Sequence, residues 1–110
     1  MKRTRQGAVD VVGVDAPLTA ESGGELLAAY DDAREPGRPQ WVLDLAETPL
    51  IDSAGCEALL DLRDRALGAG GVVCLAGVSP LCHDVLLATG LDAQFPVFQS
   101  TKSAVAYFAK

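Results

Sequence analysis

Short apolar runs alternate with helix-length amphipathic stretches along this chain, and that rhythm sets the expected fold. Val9 to Val14 (VDVVGV) is rich in β-branched residues and predicts a strand, with Gly7 marking a hairpin turn from a weak first strand. Thr19 or Ser22 opens a helix: Ser22 and Glu25 form a capping-box pair, and Leu26, Tyr30 and Ala33 share one face. The PGRP segment at Pro36 to Pro39 ends it. Trp41 to Leu45 (WVLDL) and Val72 to Ala76 (VVCLA) predict buried strands, with a helix from about Ala54 to Leu67 between them. Gly68, Gly70 and Gly71 suit the positive φ at that helix's C-terminus. Ser79-Pro80 gives an N-cap and a first-turn proline for a third helix, which Gly90 closes. Phe95 to Phe98 predicts a short strand, placed at an edge because Pro96 has no N–H to donate. Ser100 caps a last helix carrying Ala104, Val105 and Phe108 along one side.

Helices alternating with strands predict an α/β layer with parallel central strands. The expectation is one domain over residues 1–110, with about five strands and about four helices. A length of 110 residues and a hydrophobic share of 49% suit a single packed core, and only six residues are aromatic, so that core rests on Val, Leu, Ile and Ala.

Charge narrows the function classes. The net charge is −6; Lys2, Arg3 and Arg5 supply +3 of it, which leaves −9 for the remainder. A body that acidic repels a phosphate backbone, which argues against nucleic acid as a partner. Three cysteines (Cys56, Cys74 and Cys82) and one histidine (His83) include no Cys-x-x-Cys pair, so neither a structural zinc site nor a disulfide framework is expected, and no cofactor is implied. That cysteine usage fits a reducing, cytoplasmic setting. Asp10 and Asp15 interrupt the apolar stretch that a secretory signal would need after the basic start. The uncharged run between Ala66 and His83 is broken by Gly68, Gly70, Gly71, Gly77 and Pro80, so no membrane insertion is expected.

Candidate chemistry concentrates in Leu50-Ile51-Asp52-Ser53-Ala54-Gly55, where the WVLDL strand passes into the second helix. Ser53 at a helix start has two readings. Asp52 and Ser53 are good helix caps. On residue chemistry that capping role is the commoner one; the other reading is that an exposed Ser53 hydroxyl near unpaired backbone N–H groups sits where a phosphate is tolerated. On the wheel of this helix Gly55, Cys56, Leu59, Leu60, Leu62, Ala66 and Leu67 form an apolar arc, and Glu57, Asp61, Asp64 and Arg65 fill the other side. Cys56 thus faces the core, where it is either a small packed hydrophobe or a thiol activated by the helix start. Arg63 falls inside the apolar arc and is expected to snorkel. Cys82 and His83 are helix neighbours about 100° apart and do not face each other. Asp44, Glu47 and Asp52 cluster in sequence, but no phosphate-binding glycine loop accompanies them as a magnesium-nucleotide site would require. Local chemistry gives no enzyme.

VLDL followed by PLIDSAG, a helix ending in GAGG, VVCLAGVSP, then TGLDAQFPVF and a short last helix resemble a STAS domain. More narrowly, they resemble the bacterial anti-sigma factor antagonists, over nearly the whole chain. The resemblance implies a mostly parallel sheet with helices, no catalytic activity, and phosphorylation of Ser53. It also implies a partner surface that includes Thr19, Asp52, Ser53, Ala54, Gly55, Glu57 and Asp61. Thr19 stands where relatives commonly carry Asp, and Cys56 where they commonly carry Leu. In such antagonists the unphosphorylated form binds an anti-sigma factor, often an ATP-binding serine kinase, and sigma is released; phosphorylation ends the binding and a serine phosphatase resets it. The same domain type also serves as a constitutive docking subunit of lipid-transport ABC systems or of stressosome-like scaffolds, which is the alternative implied role.

Overall fold

The computed structural model describes residues 1–33 and 36–109, and the expected α/β layer is present there. In chain order the elements are β1 (Lys2–Gln6), β2 (Val9–Gly13), α1 (Ala20–Asp32), β3 (Gln40–Asp44), α2 (Ser53–Gly68), β4 (Val72–Ala76), α3 (Pro80–Thr89), a short 3-10 turn (Leu91–Ala93), β5 (Val97–Phe98) and α4 (Thr101–Phe108). The strands form one sheet in the order β1-β2-β3-β4-β5. β1 pairs antiparallel with β2 through the Gly7 turn, and every other pairing is parallel.

This order decides where the helices go. Successive parallel strands are added in one direction, so right-handed crossovers deliver α1, α2 and α3 to the same face. Leu26, Leu59 and Leu86 accordingly share one buried cluster with Val12, Leu43 and Leu75. α4 covers the other face, where Ala104 meets Val11, Val42 and Cys74. Each central strand alternates between the two clusters: Trp41 and Leu43 face one, Val42 the other. With both faces covered, the strands read as continuous apolar runs rather than as alternating ones. Tyr30 and Trp41 pack edge to face with centroids 5.2 Å apart, closing the lower end of the larger core.

Several local expectations shift. Thr19 is the N-cap of α1, and Ser22 sits in the first turn: its Oγ accepts the Thr19 N–H at 2.8 Å and donates to the Pro17 carbonyl at 2.7 Å. Ser22 is therefore the distal half of the cap, and Glu25 remains exposed. α2 starts one residue earlier than expected and includes Gly68. Of the three glycines that follow its apolar arc, Gly70 alone takes a positive φ, 80°. Leu67 is exposed, while Ala58 is buried because α1 crosses there: a Cβ built on Gly23 would lie 2.6 Å from the Ala58 Cβ. Arg63 reaches across to the Gln94 carbonyl at 2.7 Å, tying α2 to the segment before β5. β5 is only two residues long and lies at the sheet edge, where the Pro96 carbonyl accepts the Leu75 N–H at 2.9 Å.

The three cysteines are buried and free. Burial pushes the Cys74 thiol from an ordinary 9.0 up to about 12. Between those values an unfolded chain gives up the proton that the folded chain keeps, so folding stability falls as pH climbs above 9.0. A series of thermal melts from pH 8 upward is expected to show that decline, and to show a shallower one for Cys74→Val. Equal slopes for the two proteins would contradict it.

Candidate functional site

The C-terminal ends of the parallel strands bring two helix starts side by side. Leu18, just before α1, pairs with Ile51, just before α2, as an isolated parallel bridge. The Leu18 N–H donates to the Leu50 carbonyl at 2.9 Å, and the Asp52 N–H donates to the Leu18 carbonyl at 3.1 Å. α2 packs so tightly on this bridge that a Cβ on Gly55 would fall 2.1 Å from the Leu18 carbonyl oxygen. Glycine is therefore needed at position 55 for close approach, although its backbone is helical.

Asp52 is the N-cap of α2, and its Oδ1 accepts the Gly55 N–H at 2.8 Å. That frees Ser53 from capping. Ser53 is the first helical residue and is exposed, and its hydroxyl makes no hydrogen bond among the described residues. A free, outward hydroxyl beside first-turn N–H groups and the positive end of the helix dipole is chemically suited to carry a phosphate.

The remaining expected contact residues divide. Ala54 is partly buried beside Ser53, and Glu57 is exposed one turn along α2. Asp61 lies further along and is held by Arg65 at 3.3 Å, while the same Arg65 reaches Asp31 of α1 at 2.8 Å. Asp64 is paired with Arg63 at 3.4 Å. Of the acidic stripe, Glu57 is thus the member nearest Ser53 and has no ion pair among the described residues. Thr19 is half-buried at the adjoining start of α1. Gly55 is buried, which gives it a packing role beneath the surface rather than a contact on it.

Thr48 organises this end of the molecule, and no pattern in the sequence singles it out. It is buried; its Oγ1 donates to the Val14 carbonyl at 2.6 Å, and its own carbonyl accepts the Cys82 thiol at 3.3 Å. One residue thereby joins the end of β2, the loop after β3 and the first turn of α3. Exposed Leu50 and Leu81 beside it were equally invisible as surface residues, because an isolated leucine carries no signal of exposure.

The other candidate chemistry disperses. Burial pushes the Cys56 thiol up; a Thr89 hydrogen bond works against this and the Asp52 charge adds to it, so the helix start does not activate Cys56. Cys82 points inward and His83 is exposed. The Asp44 Oδ1 accepts the Ala46 N–H at 3.0 Å, turning the chain after β3. Among the described residues no three His, Cys, Asp or Glu side chains converge on a metal position, and no helix is long and apolar enough to cross a membrane.

Comparison with known proteins agrees with this fold. A STAS domain protein from Planctomyces limnophilus, an anti-sigma-factor antagonist, superposes with a TM-score of 0.84 at 24% identity, covering 99% of this chain and 97% of that one. A sulfate transporter family protein from Wolinella succinogenes gives 0.83 at 22% identity, with 94% and 87% covered. The STAS domain of a SulP transporter from Vibrio cholerae gives 0.78 at 17%, with 96% and 84% covered. At such identities the likeness is one of fold. No curated protein sequence matches the chain significantly. The sequence itself matches the STAS domain family over residues 1–104, and with that span covered the chain belongs to the STAS family.

Proposed function

We propose that this protein is an anti-sigma factor antagonist working by partner switching, with no catalytic activity of its own and with its site of action in the cytoplasm. In its unphosphorylated form it binds an anti-sigma factor that is also a serine kinase, and sigma is released. The observation that carries this reading is Ser53: exposed, without a hydrogen bond among the described residues, and in the first turn of α2, with capping already done by Asp52.

The chemistry follows from that placement. ATP belongs to the partner. For transfer, its γ-phosphate must lie within reach of the Ser53 Oγ, which attacks phosphorus as the hydroxyl proton passes to the partner's base and ADP leaves. The product carries about −1.5 to −2 of added charge between Asp52 and Glu57. In the complex that charge faces the phosphates of the partner's ADP, so it favours release. The helix start tolerates phosphate, so the fold persists through the switch. A serine phosphatase restores the binding form.

Incubation with ATP and an anti-sigma serine kinase that binds this protein, followed by phosphate mapping by mass spectrometry, tests this directly. One phosphate on Ser53, absent from Ser53→Ala, is the expected result. Modification confined to other residues by an active kinase would overturn it. The second reading, a constitutive docking subunit of a lipid-transport ABC system or of a stressosome-like scaffold, draws support from the fold likeness to a stressosome protein. It expects Ser53→Asp to leave partner binding unchanged.

A further inference from the structure

A groove opens at the same end of the sheet, on the α3 side of the Ser53 helix start. Its walls are Ala16 and Pro17 after β2, Ala46 and Pro49 after β3, and Ser79 and Leu81 at the start of α3, around a space of about 460 Å³. The walls are fixed, because Thr48 between them ties β2 to the loop after β3 and to α3. Leu81 is 59% exposed on one wall, and Leu50, 43% exposed, follows Pro49 in the chain. Two leucines and neighbouring prolines thus face water beside an open concavity, apolar surface that an incoming side chain would cover.

The surroundings are of one sign. No Lys or Arg occurs in residues 6–33, 39–62 or 66–101, the segments that build this end, whereas Asp15, Glu21, Glu47, Asp52 and Glu57 do. Asp15 is engaged by the Met1 amine at 3.4 Å; Glu21, Glu47 and Glu57 are exposed and have no ion pair among the described residues. An apolar centre with an acidic rim complements an apolar anchor with basic flanks.

We infer that this groove receives an apolar side chain from the partner protein, on a segment flanked by Lys or Arg that face Glu47 and Glu21. The inference rests on the partner-binding reading above and adds the chemistry of the partner's docking segment. The cations lie around the groove, while the partner's nucleotide lies opposite Ser53, so attraction at one place and phosphate repulsion at the other coexist in one interface. Dock and switch are then separate parts of the surface.

Calorimetric titration of the kinase with wild type, Leu81→Ser, Leu50→Ser and Leu67→Ser separates them. Leu67, 47% exposed at the far end of α2, is the control. Leu81→Ser and Leu50→Ser are expected to weaken binding by about tenfold, with Leu67→Ser unchanged. Wild-type affinity is expected to fall as sodium chloride rises from about 50 to about 300 mM. Wild-type affinity for Leu81→Ser, or affinity indifferent to salt, overturns the inference. If Ser53→Asp binds normally while Leu81→Ser does not, the switch fails and the groove stands. If the kinase does not bind at all, the function proposal falls and the groove is read by NMR titration with a synthetic leucine peptide flanked by lysines. Shifts confined to Ala46–Leu50 and Ser79–Leu81 sustain it; no shifts at millimolar peptide overturn it.

Discussion

Gly55→Ala is expected to lower the free energy of unfolding by about 1–3 kcal/mol, even though Gly to Ala within a helix ordinarily stabilises by about 0.5–1 kcal/mol. The sign is reversed by what the new methyl group meets. It would lie 2.1 Å from the Leu18 carbonyl oxygen and 2.8 Å from its carbon, both backbone atoms, with Ile51 Cγ2 at 3.1 Å. A flexible side chain would swing aside. Leu18 cannot, because its carbonyl accepts the Asp52 N–H and its own N–H is held by Leu50. Relief therefore comes only by parting the two helix starts, which loosens the Asp52 cap as well. A loss near 2 kcal/mol corresponds to a melting temperature lower by roughly 10 °C. Gly24→Ala is the internal control: it sits in α1 with nothing within 4 Å of the added carbon, and it is expected to stabilise modestly. Thermal melts of both variants check the pair. A stabilised Gly55→Ala would mean that the close approach of α2 to Leu18 is wrong. Because the damage is local, partner binding is expected to suffer in Gly55→Ala even well below its melting point.

The positions that were legible in the sequence and those that were not differ for physical reasons. Strands such as Trp41–Leu45 and helices such as α3 declare themselves through local periodicity, a serine cap and a terminal glycine, all of which act within a few residues. The Asp-Ser-Ala-Gly element was legible as a helix start for the same reason. Which of its members caps was not, because Asp52 and Ser53 are both competent and only the backbone geometry assigns the role to Asp52. Leu67 left its expected apolar arc for solvent, and Ala58, which the arc did not include, is buried, because a helical wheel knows one buried face and α2 has a second contact with α1. The pairings of Arg63 with Gln94 and of Thr48 with Val14 join residues more than 30 apart in sequence, beyond the reach of any local pattern. Gly55 was legible as part of a motif, but its reason, the Leu18 carbonyl, became visible only in three dimensions. The strand order, and with it the gathering of α1, α2 and α3 on one face, likewise needed the fold.

The second large effect is that of a phosphate on Ser53. It places about two negative charges one residue from Asp52 and one helical turn from Glu57, at the surface where the partner's nucleotide must come close for transfer to occur. Neither Asp61 nor Asp64 adds much to this, since Arg65 and Arg63 hold them. The effect therefore depends on a small group: Asp52, Ser53 and Glu57. A coupling of about 1–3 kcal/mol changes affinity by roughly 5–150-fold, enough to exchange one partner for another. Because the phosphate sits at the positive end of α2, the melting temperature is expected to hold or rise slightly while affinity falls. A mutation that merely unfolds the site would lower both.

That contrast defines the decisive measurement. Protein phosphorylated stoichiometrically on Ser53 and the unmodified protein are each titrated into the kinase partner, with circular dichroism melts recorded on the same samples. The account predicts affinity lower by roughly 5–150-fold for the phosphorylated form, with an unchanged spectrum and an undiminished melting temperature. Equal affinities for the two forms, with the partner bound and folded, would contradict it.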